Sequence, residues 1–224
     1  MSKLNIEDKQ LVVPGEVIAE GMDYLPAGGV YRDEDKIIAQ QIGIVKIDNR
    51  LIKLIPLTGS YTPKPGDVVI GQIANINFNG WTVDIGFSNL AVLGLRDTNE
   101  FIDQKDDLSK HLNFDEYIIA KVSKVSKANL IDLSMRGPGL MKLHGGRLID
   151  VTPSKVPRVI GKQGSMINLL KQLTGCKVFV GQNGKVWVEG DNVDKVVDAI
   201  KLIERESHVS GLTEKIEGLL GGKK

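Results

Sequence analysis

The chain has 224 residues, 42 % hydrophobic and 25 % charged, with a formal net charge of +1. These are the values of an ordinary globular protein, with room for one large domain or two to three small ones. The single cysteine, Cys176, excludes an internal disulfide, and neither it nor the three separated histidines (His111, His144, His208) shows zinc-ligand spacing. No metal and no cofactor is expected. There is no signal-like or membrane-length apolar run, so the chain reads as a protein of a reducing, cytoplasmic setting without a membrane partner.

Residues 1–62 read as a small all-β module. The segments "EVIAE" (16–20), "KIIAQQIGIVKI" (36–47) and "LIKLIPL" (51–57) are rich in β-branched residues, and Asp48-Asn49-Arg50 is a hairpin-turn signal. "YTPKPGD" (61–67) marks the first boundary, because two prolines and a glycine end the preceding strand.

Residues 63–137 alternate strand runs with Asn-Gly and Ser-Asn turns, carry a polar, helix-tolerant piece at 103–113, and end in two more strands within "EYIIAKVSKVSKANLIDLSMRG". Five short strands with one helical insertion fit a small Greek-key barrel of OB type. In "WTVDIG", Trp81, Val83 and Ile85 fall on one strand face and Thr82 and Asp84 on the other, which assigns Trp81 to the core. Phe78, in the turn, is open to either role. Asp103, Asp106 and Asp107 form an acidic cluster that reads as solvated surface on an exposed helix, without a phosphate-binding signature beside it.

"RGPGLMKLHGGR" (136–147), with four glycines and a proline, is the second boundary. Residues 138–206 follow as a strand, an entry segment, a helix, a hairpin around Asn183-Gly184 and a last helix. Met166, Ile167, Leu169, Leu170 and Leu173 recur at helical spacing, with Gly175 placed to stop that helix. Asp191 is positioned to cap the last helix, whose Val193, Val196, Val197, Ile200 and Ile203 form one apolar stripe. The tail, 207–224, has Leu212, Ile216, Leu219 and Leu220 at helical spacing but is too short to be a stable helix unless it docks.

The charge is uneven. Within 138–178 there are seven basic side chains against one acidic, Asp150. That block surrounds "VIGKQGSMI" (159–167), where two glycines flank a lysine and a glutamine between a strand-like pair and an apolar helix. A lone G-x-x-G pattern is weak in a chain of 25 glycines. Here a helix begins directly after it, which aims unpaired backbone N–H groups outward. The glycines remove Cβ atoms from the path of a sugar-phosphate backbone, and Lys162 adds charge. This is the logic of a KH domain gripping single-stranded nucleic acid. The candidate residues are Arg158, Ile160, Gly161, Lys162, Gln163, Gly164 and Ser165; the ordinary alternative is a tight strand-to-helix turn.

Taken together, "VVPGEVIAEGMDYLP", "GDVVIGQIANINFNGWTVDIG", "LSMRGPGLMKLHGG" and "VIGKQGSMINLL" resemble the RNA-binding cap subunit of the archaeal exosome, across nearly the whole chain. The resemblance implies a multidomain protein with an N-terminal β domain at 1–62 that contacts a ring. It implies an OB-type barrel of the ribosomal-protein S-one kind at 63–137, and an α+β KH domain of βααββα-like order at 138–206. It also implies a non-catalytic role. Three copies would sit on a hexameric ring of phosphorolytic subunits, mixed with a zinc-ribbon cap protein, and would guide RNA 3′ ends into the channel. The barrel departs from its wider family, since Asn79, Thr82 and Gly94 stand where stacking aromatics and a histidine are usual. RNA contact on that face then falls to Phe78, Arg96, Lys121, Lys124 and Lys127, with plain surface charge as the alternative for the four cations. Two other readings compete: a free-standing OB/KH translation or transcription factor, and an enzyme, for which the chain offers no nucleophile–base–orienter set.

Overall fold

The computed structural model describes residues 3–57, 59–100, 102, 106–206 and 211–221. Its contacts divide the chain into two units, Met1–Gly59 and Ser60–Lys224. Among the described residues no helix is long and apolar enough to cross a membrane.

The first unit is all β: β1 (Lys3–Leu4), β2 (Leu11–Val12), β3 (Val17–Glu20), β4 (Leu25–Pro26), β5 (Val30–Asp33), β6 (Lys36–Ala39), β7 (Gly43–Asp48) and β8 (Leu51–Pro56). They form two sheets, ordered β1-β3-β6-β5 and β2-β7-β8-β4, around Ile18, Ile37, Val45 and Ile52. The apolar run 36–47, which looks continuous in sequence, is cut between the two sheets. A bend at 40–42 turns the chain, and Gly43 lets β7 approach β8, where a Cβ would stand 2.5 Å from the Ile55 carbonyl. Asn49 takes φ 54° in the β7–β8 turn, a left-handed geometry that asparagine tolerates. On the outer face of the second sheet, Leu11, Ile44 and Ile55 lie in one cross-strand row. Val13, Ile42 and Leu57 form the next, joined by the Leu57 N–H to Ile42 carbonyl bond of 3.4 Å.

The second unit begins with a closed barrel. Its strands β9 (Val68–Asn77), β10 (Gly80–Asp84), β11 (Ala91–Gly94), β12 (Tyr117–Val125) and β13 (Ile131–Ser134) close in the order β10-β11-β13-β12-β9. Trp81, Val83 and Ile85 are fully buried inside it, and the Trp81 indole N–H donates to the Leu112 carbonyl at 2.9 Å. Gly80, at φ 142°, sits where a Cβ would stand 2.1 Å from the Leu93 carbonyl, which lets β10 lie tight on β11. The helical insertion expected at 103–113 is, among the described residues, only a 3-10 turn at Leu108–Lys110; Asp103 lies outside them. Asp107 caps that turn through its Oδ1, which accepts from Ser109 N and Oγ at 3.2 and 2.6 Å. One turn suffices because Leu108 and Leu112 reach the barrel core directly.

The rest of the unit has the order βααββα: β14 (Arg147–Asp150), α1 (Val156–Ile160), α2 (Ser165–Thr174), β15 (Lys177–Val180), β16 (Lys185–Glu189) and α3 (Val193–Arg205). The sheet runs β14-β16-β15. Gly175 ends α2 in the left-handed region, φ 69°, with its N–H on the Lys171 carbonyl at 2.9 Å. The cap of α3 is not Asp191: Asn192 holds that position, and its amide donates to the Thr174 carbonyl at 3.1 Å, tying α3 to the end of α2. Helix α4 (Leu212–Leu220) docks Leu212, Ile216 and Leu220 on the same core as Val196, Ile200 and Ile203, while Leu219 stays exposed.

Barrel and sheet are welded. Leu148, Trp187 and Phe179 form a single cross-strand row through β14, β16 and β15, and this row packs on the barrel's core. At the β15–β16 turn, Asn183 is buried against the barrel. Its Oδ1 accepts from Ile70 N at 3.3 Å, and its Nδ2 donates to the carbonyls of Ile70 and Ile85 at 2.7 and 2.9 Å. Gln182 N adds a bond of 2.8 Å to the Val68 carbonyl. Replacing Asn183 by Ala strands three buried backbone groups, an expected loss of about 3 kcal/mol in urea unfolding. Asn183→Asp should be worse still, because a carboxylate would face two carbonyl oxygens. A loss below about 0.5 kcal/mol for the alanine variant would show that water replaces the clamp at little cost.

Candidate nucleic-acid interface

The loop at Gly161–Gly164 joins two helices rather than a strand and a helix. Val159 and Ile160, strand-like by their branching, close the last turn of α1, and Val159 is fully buried. Pro157, at the start of α1, needs no N–H partner there. Three of the next four residues then take positive φ: Gly161 at 75°, Gln163 at 52° and Gly164 at 80°. A Cβ on Gly161 would stand 2.7 Å from the Met166 backbone nitrogen. This glycine is therefore required twice, by conformation and by space. Gly164 is the N-cap of the ten-residue α2, and no side chain caps it; the Ser165 N–H donates to the Lys162 carbonyl, and the positive end of the helix dipole lies beside the loop. Lys162, Gln163 and Ser165 are exposed, as is Arg158 one turn earlier; Ile160 and Ile167 are half-buried beside them.

The charges around this loop differ from those on the sheet. Arg147, Lys177 and Lys185 pair with Asp194, Glu189 and Asp150 at 3.0, 2.9 and 3.1 Å. Lys142 pairs with Glu116 at 2.7 Å. Burial raises the Glu116 carboxyl, but the Asn113 N–H and the Lys142 ammonium outweigh it and hold the group below the usual carboxylate range. Arg158, Lys162 and Lys171 have no ion-pair partner among the described residues. The positive charge at the glycine loop is thus not neutralised by an ion pair among the described residues, while the cations on the sheet are held by carboxylates.

On the barrel the five candidates do not form one patch. Phe78 is 81 % exposed at the tip of the β9–β10 turn. Arg96, exposed in a 3-10 turn after β11, lies at the same rim, since Leu95 N donates to the Asn79 carbonyl at 3.3 Å. Lys127 is in the β12–β13 loop at the other end, where the Asn89 amide reaches the Asn129 carbonyl at 3.1 Å. Lys121 and Lys124 both project from β12 because the register shifts between Val122 and Lys124. Between the rims runs a row of Asn75, Thr82, Val92, Asp132 and Lys124. Leu90 and Leu130, 48 and 63 % exposed, flank its lower end, a pairing that needs the parallel β11–β13 register and is not visible in sequence. No group of three His, Cys, Asp or Glu among the described residues is placed to hold a metal ion.

Comparison with known proteins matches three family profiles in order. They are the Exosome RNA binding protein RRP4 N-terminal domain over 9–58, the RRP4 S1 domain over 60–124 and the KH domain over 147–205. The chain is 43 % identical to the exosome complex component Rrp4 of Pyrococcus horikoshii, covering 98 % of this chain and 85 % of that one. It is 43 % identical to that of Thermococcus kodakarensis (98 % and 88 %) and 41 % identical to that of Methanothermus fervidus (96 % of each). A solved exosome complex RNA-binding protein superimposes with a TM-score of 0.65 at 37 % identity, covering 73 % of this chain and 96 % of the other. With near-complete coverage by relatives of that single description, the chain belongs to the Rrp4 family of exosome complex components.

Proposed function

We propose that this chain is the RNA-binding, non-catalytic cap subunit of an exosome, with an assembly domain at 1–62, an OB-type RNA surface at 63–137, a KH module at 138–206 and a docked tail at 207–224. Three copies sit on a hexameric ring of phosphorolytic subunits in the cytoplasm, in some particles mixed with a zinc-ribbon cap protein. They hold single-stranded RNA and feed its 3′ end into the channel, where the ring performs the chemistry.

The observation that carries this reading is the glycine loop, with three positive-φ residues, a helix start without a side-chain cap, and Arg158 and Lys162 beside it without an ion-pair partner among the described residues. Such a surface binds phosphate and sugar rather than base edges, so its sequence discrimination is low. The barrel adds an exposed Phe78 and scattered cations instead of a stacking face, so each chain binds weakly and with strong salt dependence. Threefold repetition on one ring turns weak sites into avid capture. Docking is supported by the first unit, whose second sheet exposes the two apolar rows described above, an unusually continuous patch for a free-standing surface.

Two outcomes are expected. Lys162→Asp/Gln163→Asp, with both glycines kept, should weaken an unstructured RNA about tenfold or more at low salt and flatten the salt dependence. Fluorescence anisotropy on the chain alone and on the assembled ring reads both. Affinity that persists with assembly intact would assign RNA capture to the barrel and leave the loop a structural turn. Leu11→Asp/Ile55→Asp should abolish co-elution with the ring while shifting the melting temperature little, since both side chains are half-exposed. A wild-type chain that stays monomeric beside the ring would instead favour a free-standing RNA-binding factor.

A further inference from the structure

Beside the barrel is a cavity of about 240 Å³ that none of the candidates above line. Its floor is Leu112 and Met135, each 5 % exposed. Met141, Lys142 and His144 line it from the segment that leaves the barrel and runs back along β12. There Ile119 N donates to the Met141 carbonyl and Leu143 N to the Tyr117 carbonyl, both at 2.8 Å. Its polar lining is Thr98, Asn99, Glu100, His111, Lys142 and His144. Two of the chain's three histidines and two of its five methionines meet here.

The local charge argues against a phosphate. Lys142 is held by Glu116 at 2.7 Å and by the His111 carbonyl at 3.3 Å, and His111 Nδ1 faces Glu100 Oε2 at 3.1 Å. Among the described residues that line it, no cation is left over to receive an anion. What remains is an apolar slot with two thioethers, whose sulfurs favour aromatic rings, and an edge that can both donate and accept. The second ring nitrogen of His111 and both of His144 have no hydrogen-bond partner among the described residues. Asn99 spends its Nδ2 on the Leu140 carbonyl at 2.6 Å, which leaves Oδ1 as an acceptor. A few convergent polar groups on apolar walls are the usual make-up of a small-ligand site, and the volume here suits a fragment the size of one base. Its position supplies the ligand's source. Thr98 and Asn99 follow Arg96 by two and three residues, and Arg96 shares its rim with the Phe78 turn.

We propose that this cavity takes one unstacked nucleobase of the RNA held at the Phe78–Arg96 rim, with Met135 and Met141 against the ring and Asn99, His111 and His144 on its edge. The inference rests on the RNA-binding reading above. It adds a discrete base pocket to a surface that otherwise grips backbone.

Methyl-labelled methionine NMR on the full chain tests it, because the methionines are distributed as reporters. Met135 and Met141 line the cavity, Met22 is in the first unit, and Met166 follows the glycine loop. Adenosine or uridine at millimolar concentration should move the Met135 and Met141 methyls upfield and leave Met22 and Met166 in place. A short unstructured oligonucleotide should move the same two at far lower concentration, together with Met166. His144→Ala, at an exposed position with no side-chain hydrogen bond among the described residues, should weaken the oligonucleotide about fivefold, the low end of what one base contact contributes. The proposal is overturned if an oligonucleotide that binds by anisotropy leaves Met135 and Met141 silent, or if ribose 5-phosphate reproduces their shift. An oligonucleotide that does not bind at all removes the RNA-binding reading, and the cavity proposal with it.

Discussion

The architecture of the second unit depends on one side-chain amide. Asn183 pairs with both the N–H and the carbonyl of Ile70, as a neighbouring strand would, and uses its remaining proton on Ile85. A side-chain amide is the only neutral group with this donor and acceptor set. The turn that carries it is held open by Gly181, where a Cβ would stand 2.4 Å from the Asn183 oxygen, and by Gly184, where one would stand 2.2 Å from the Val151 carbonyl. The four residues Gly181–Gly184 are therefore spent on holding two modules together. The other glycine-flanked tetrad, Gly161–Gly164, faces solvent at Lys162 and Gln163, and Lys162 has no ion-pair partner among the described residues. Two loops of similar composition do opposite work, and the difference lies in what each is packed against.

Much of this was legible from the residues. The alternation around Trp81 placed the indole inside the barrel, and Gly175 ended α2 in a left-handed turn. The tail's helical spacing led to a docked helix. The failures share a cause. Branching makes Val159 and Ile160 strand-like, but tertiary burial of Val159 overrides that preference. Polarity suggests a helix at 103–113, yet among the described residues Leu108 and Leu112 anchor the segment in the barrel core around a single 3-10 turn. Asp191 has the chemistry of a cap, but Asn192 gains more from the end of α2. Local pattern reports what a segment tolerates; packing decides which tolerated state is used.

The candidate surface follows the same division. A glycine loop ahead of an apolar helix is a contiguous signal and was visible. The unpaired state of Arg158 and Lys162 was not, because it depends on partners such as Asp150 and Asp194 being occupied elsewhere, 35 and 47 residues from the cations they hold. The cavity between Asn99, Leu112, Met135 and His144 draws on four separate segments and has no linear signature at all.

The row Leu148–Trp187–Phe179 has a consequence for how such chains can be rearranged over evolutionary time. These three side chains fill the side of the barrel, and Trp187 is counted within its core. The glycine-rich stretch 136–147 looks like a hinge at which a third module could be cut away or exchanged. Cutting there would leave the barrel with an uncovered apolar wall and with backbone groups of Ile70 and Ile85 unpaired. Any replacement module must bring its own plug and its own polar bridge, so exchange at this point selects for recombinants that carry a matched wedge, not merely a new ligand site.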